Sequence, residues 1–125
     1  ETVQKCIEVF IPMIRTMKAI PENMYNAAKR GFINATDLAD YLTKKGLPFR
    51  SAYKIVGTIV GECIKKNITL DEMSLEEYKA HSDIFDSDLY NEISLESCVA
   101  KRISRGSTGY ESVGEQLKYV AEFLK

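Results

Sequence analysis

Apolar residues recur at helical spacing along almost the whole chain. Val3, Ile7, Phe10, Ile14 and Met17 alternate steps of four and three, with Cys6, Met13 and Ile20 beside them. That is a heptad seam, which predicts one helix showing an apolar edge to a partner helix. Pro12 removes one ladder hydrogen bond inside it and predicts a kink. Ile20-Pro21 predicts a stop. Pro21 and Glu22 suit the first turn of a short second helix that ends near Arg30, with Gly31 as its left-handed cap. Asn34 is the expected N-cap of a third helix, with Asp37 in its first turn and Ala35, Leu38, Ala39 and Leu42 as its apolar stripe. Asp40 and Lys44, four apart, read as an ion pair; Lys44 and Lys45 sit at the negative end, and Gly46 closes it.

Pro48 falls near the first position of a long fourth helix. Phe49, Ala52, Tyr53, Val56, Ile59, Val60, Cys63 and Ile64 recur on it at three and four, and Ile55 widens the face. So apolar a helix is expected at the centre, buried on more than one side. Gly57 and Gly61 predict the close approach of another helix, and Asn67 a terminus. Thr69 to Glu72 and Ser74 to Glu77 both read as capping boxes, the second opening a helix of two turns. Residues Ser82 to Asn91 suggest a turn and a short helix. Ser94 caps a helix over Leu95 to Ile103 that carries Cys98 and Val99, and Gly106 ends it. Thr108 to Glu111 is a further capping box before a last helix with Val113, Leu117, Val120 and Leu124 on one stripe. No segment has strand period and no repeat is present. The pattern predicts an all-α fold, a small helical bundle of about six to eight helices.

Composition narrows the function classes. Of 125 residues, 45% are apolar and 28% charged, values of a globular domain. Lys plus Arg total 17 against 18 acidic residues, a net charge of −1, which gives no electrostatic footprint for nucleic acid or an anionic membrane. No apolar run is long enough to span a bilayer, and the N-terminal residues do not read as a signal peptide. Three scattered cysteines, Cys6, Cys63 and Cys98, fit reduced, mostly buried thiols rather than a disulfide framework or a zinc site, so a soluble cytoplasmic protein is expected.

Candidate chemistry is sparse. Asp37 and Asp40, three apart, can share a helix face for acid–base work or a metal, or can simply serve the helix's positive end and an ion pair with Lys44. Arg50 lies in the first turn of its helix, the wrong end for a cation. An ion pair with Asp37 or Asp40 would offset that; binding a substrate is the alternative. Arg105-Gly-Ser-Thr-Gly109 precedes a helix start where backbone N–H groups can hold an anion, although a helix stop followed by an N-cap explains it too, and the P-loop pattern is absent. His81 has no evident partner and reads as a surface residue. The methionines read as packing, and the tyrosines lack basic interleaving. No nucleophile–base group, metal cluster or nucleotide loop stands out, so no cofactor or metal is expected.

One stretch is more specific. Gly31 to Arg50, centred on Ala35-Thr36-Asp37-Leu38-Ala39-Asp40-Tyr41-Leu42, then Lys45-Gly46 and Pro48-Phe49-Arg50, closely resembles the C-terminal domain of the argininosuccinate lyase family. Ile55-Val56-Gly57 continues the match; Pro21-Glu22-Asn23-Met24, Leu70, the Ser74-Leu-Glu-Glu77 start and Phe85 agree more loosely. Ala52-Tyr53 stands where the family usually has Ala-His, and Gly106-Ser107-Thr108 where it often has Gly-Gly-Thr. The resemblance implies a homotetrameric, all-helical parent enzyme that splits argininosuccinate into arginine and fumarate by proton abstraction and elimination. It also implies that the catalytic serine, in a Gly-Ser-Ser-x-Met-Pro-x-Lys-x-Asn loop, and the catalytic histidine lie on segments not found here. On that reading residues 1–20 end a long helix of the central bundle, and 21–125 form the C-terminal helical domain. Ala35, Thr36, Asp37, Leu38, Asp40, Gly46, Pro48, Phe49 and Arg50 are then a structural signature, not catalytic residues. The chain is expected to be inactive alone and to meet substrate only within the full-length enzyme. A free-standing helical interaction module is the alternative. The seam helix, cut loose, is expected to self-associate or to fold back onto the core.

Overall fold

A computed structural model describes all 125 residues, and every regular element is helical. The eight helices are α1 (Thr2–Thr16), α2 (Pro21–Arg30), α3 (Ala35–Lys44), α4 (Phe49–Lys66), α5 (Leu75–His81), α6 (Leu89–Glu92), α7 (Leu95–Ala100) and α8 (Tyr110–Phe123). α3 and α4 pack most extensively against one another; α5 lies on α4, and α6 joins α3 to α7. Leu38, Ala39, Tyr41 and Leu42 of α3 meet Ala52, Val56, Ile59 and Cys63 of α4, and Leu70, Met73, Tyr78, Phe85, Leu89 and Ile93 close the core from the other side. Burying such side chains stabilises the fold by about 1.5–3 kcal/mol each.

The turn between α3 and α4 is set by glycine. Gly46 has φ +101°, its N–H donates to Thr43 O (3.0 Å), and Leu47 N–H donates to Leu42 O (3.1 Å). This Schellman pair satisfies the last carbonyls of α3. Asn67, at φ +54°, closes α4 in the same way, with Ile68 N–H on Cys63 O. Gly31 is not the left-handed cap expected at the end of α2. It is right-handed (φ −79°), and Phe32 makes the reversal at φ +50°. The Phe32 ring packs against the core, and that burial offsets the cost of a positive φ on a bulky residue.

Other expectations change with packing. α4 is not buried on more than one side: Ala52, Val56, Ile59 and Cys63 make one inward face, while Phe49, Tyr53 and Ile64 are exposed. No helix approaches Gly57 or Gly61; a Cβ at either would meet nothing within 4 Å. α1 is unbroken through Pro12, does not fold back and buries no residue. Thr69 and Glu72 make their side-chain contacts, with Thr69 N–H on Glu72 Oε2 at 2.7 Å, but form only a turn. Ser74 and Glu77 form the full box that opens α5. α7 stops at Ala100, before Gly106, and α8 begins after Gly109 with no side-chain cap from Thr108. Gly109 is required there, because a Cβ would collide with the carbonyl oxygen of Arg102.

Candidate functional site

The residues singled out in the sequence share one segment but do not converge on one site. Leu38 is fully buried, Asp37 is buried and Ala35 half-buried, whereas Thr36, Asp40, Gly46, Pro48, Phe49 and Arg50 are exposed. α3 instead works as a two-sided beam. Its apolar side enters the core, and its polar groups tie down the segment from Asp86 to Arg102.

Five residues of α3 and its flanks make polar ties to that segment. Asn34 sits at the N-cap, yet its side chain does not cap the helix; its Nδ2 donates to Ile93 O at 2.8 Å. Its Oδ1 is buried without a partner, an unmet acceptor of the kind an ordered water satisfies. Asp37 Oδ2 receives the Arg102 guanidinium at 2.8 Å, with the Asp37 side chain only 3% exposed. Tyr41 donates its hydroxyl to Asp88 Oδ1 (2.5 Å) and accepts Asp86 N–H (3.1 Å). Lys45 reaches the same Asp88 oxygen at 3.0 Å and lies over the Tyr41 ring. Lys44 approaches Glu92, which Lys101 holds at 2.7 Å.

The electrostatics follow these contacts. The Tyr41 hydroxyl and then Lys45 hold the Asp88 carboxyl below its ordinary range, and Lys101 does the same for Glu92. Burial, then the bond to Asp88, raises the Tyr41 phenol. Burial and the neighbouring Asp37 push the Cys98 thiol up to about 12, and burial raises Cys63. Both are thiols rather than nucleophilic thiolates at neutral pH. Cys6 is exposed.

Two ion pairs read from the sequence are corrected. Asp40 does not pair with Lys44, because Glu92 draws Lys44 away. Arg50 pairs with neither Asp37 nor Asp40: Asp37 faces inward to Arg102, and Arg50 projects from the open side of α4. His81 is not a plain surface residue, since its Nε2 lies half-buried at 3.3 Å from Glu62 Oε2. Arg102 and Asp88 had no local signal, because their partners on α3 and its end lie 43 to 65 residues away.

No group of three His, Cys, Asp or Glu residues is placed to hold a metal, and no helix is long and apolar enough to cross a membrane. A cleft of about 810 Å³ opens between α2 and the end of α4, lined by Asn26, Arg30, Phe32, Asn67 and Glu72 among others. Its walls are mainly solvated polar side chains, without a nucleophile–base pair.

Helical packing with polar ties that join helix to helix defines a small all-helical domain. A family profile described as argininosuccinate lyase C-terminal matches residues 32–100, and the chain belongs to that family. It is 49% identical over 125 residues to the argininosuccinate lyase of Lachnospira eligens, and 48% identical over 124 residues to that of Ruminiclostridium cellulolyticum. That of Caldicellulosiruptor bescii is 49% identical over 124 residues. These alignments take in 99–100% of this chain but only 27% of each relative's length.

Proposed function

We propose that this chain is the C-terminal domain of an argininosuccinate lyase, an enzyme that cleaves argininosuccinate to arginine and fumarate in arginine biosynthesis. Its own contribution is support. The observation that carries this reading is near-half identity along the entire chain to enzymes of that name, of which it spans about a quarter. The polar ties of α3 fit it: Asp37, Tyr41, Lys44 and Lys45 hold helices together rather than present an acid and a base to a cleft. The parent is a cytoplasmic homotetramer in this reading. Residues 1–20 end its central bundle, and 21–125 form the C-terminal domain with Ala35 to Arg50 as structural signature. The exposed helix α1 and the break before Pro21 support that boundary.

Proton abstraction needs a positioned base, so the chain alone is expected to release no fumarate from argininosuccinate above a protein-free blank. Ultraviolet absorbance of fumarate measures it, and steady turnover by the purified chain would overturn the supporting role.

A further inference from the structure

One side of α4 carries three features with no explanation inside the chain. Gly57 and Gly61 stand one turn apart in the middle of the helix, with ordinary helical backbone and open space at each Cβ. Glycine is unfavourable there relative to alanine, and nothing within the domain uses the room it leaves. Beside them Tyr53 is 67% and Ile64 62% exposed, and Phe49 lies against Tyr53 with ring centroids 6.1 Å apart, also exposed. Arg50 occupies the same side in the helix's first turn, where the dipole disfavours a cation, and no carboxylate lies within 4.0 Å of it.

A single occupant accounts for all three. We propose that the open side of α4 is where a helix from the preceding part of the parent lyase packs. Its backbone lies close over Gly57 and Gly61, its apolar row covers Tyr53 and Ile64, and a carboxylate on it meets Arg50. The inference rests on the parentage proposed above. The relatives extend well beyond this chain, and that remainder must seat the domain on some surface. α4 offers a surface backed directly by the core, through Val56 and Ile59 on its other side. Small residues one turn apart let two helices approach closely, and a ridge of larger side chains on each flank fixes their crossing.

A chimera tests it: the Lachnospira eligens lyase with this chain replacing its matching C-terminal part. Gly61→Leu in the isolated chain should leave the thermal midpoint unchanged or raised, because the site is open. The same change in the chimera should lower lyase activity and recovery of assembled enzyme by about tenfold or more, as overpacking does at a filled interface. Lys79→Leu, at an exposed position of α5, should leave the chimera unaltered. An active chimera indifferent to both Gly57→Leu and Gly61→Leu would overturn the docking side and leave the parentage standing. A lower midpoint for Gly61→Leu in the isolated chain would also overturn it, since the glycine would then serve the domain itself. An unmutated chimera that assembles but is inactive would remove the parentage and this inference with it.

Discussion

Two arginines separate local from long-range electrostatics. Arg102 completes a nearly buried Asp37, and its loss would strand that carboxylate. Arg102→Ala should therefore destabilise the chain by about 1–3 kcal/mol, toward the lower end because the guanidinium is 40% exposed. Arg50→Ala should stay within about 0.5 kcal/mol, since it breaks no contact inside the domain. Urea midpoints of the two variants decide it, and equal losses would contradict the pairing of Asp37. Glu77 gives a pH signature. Lys66, the Ser74 N–H and the Ser74 hydroxyl hold its carboxyl at about 2, against an ordinary 4.5. A carboxyl depressed in the fold contributes stability above about 4.5 and loses it as pH falls toward 2. Glu77→Gln should thus be less stable than the unaltered chain at neutral pH, with the gap narrowing below pH 4.5. A gap that stays constant down to pH 2 would exclude that carboxylate as its source.

Elements differ in how far they depend on the rest of the chain. α3 and α4 end where their sequences say, because Gly46 and Asn67 supply left-handed caps at no or small steric cost. The capping box of α5 is equally local. α8 is not: Thr108 carries the right pattern, yet the start is set by Gly109 fitting under the Arg102 carbonyl and by the Ser107 hydroxyl bonded to that same oxygen. α1 has a clear heptad row but buries none of it. Val3, Ile7, Phe10 and Ile14 are all more than half exposed, and a single helix of this length is marginal in water. Deleting residues 1–18 should leave the unfolding free energy from urea titration within about 0.5 kcal/mol, because no buried residue is lost. The intact chain should self-associate as concentration rises, and the truncated one much less. Light scattering across a dilution series reads this; a concentration-independent monomer would show that the α1 row is not adhesive on its own.

On the scale of the whole molecule, burial sorts groups that look alike in sequence. Cys63 and Cys98 lie inside with raised thiol pKa values, and Cys6 lies exposed on α1. An aromatic disulfide reagent at neutral pH should titrate one thiol quickly in the folded chain, and the other two only on unfolding. Rapid labelling of all three would mean a looser core. The helical class, the order of the main helices and the apolar rows were legible in the residues, because capping and periodicity act over a few positions. The polar ties were not. Arg50 was the expected cation for Asp37 or Asp40, and Lys44 the expected one for Asp40; folding gave Asp37 to Arg102 and Lys44 to Glu92.

Sequence alone determined which stretches coil and where most of them stop, since those outcomes depend on neighbours within one or two turns. Tertiary structure decided which faces are covered. It set one side of α4 in the core and left Gly57, Gly61 and the whole of α1 and much of α8 open. The physical reason is that an apolar row states only a demand for a partner. Whether the partner is another helix of the same chain depends on geometry summed over distant residues, which no local spacing encodes.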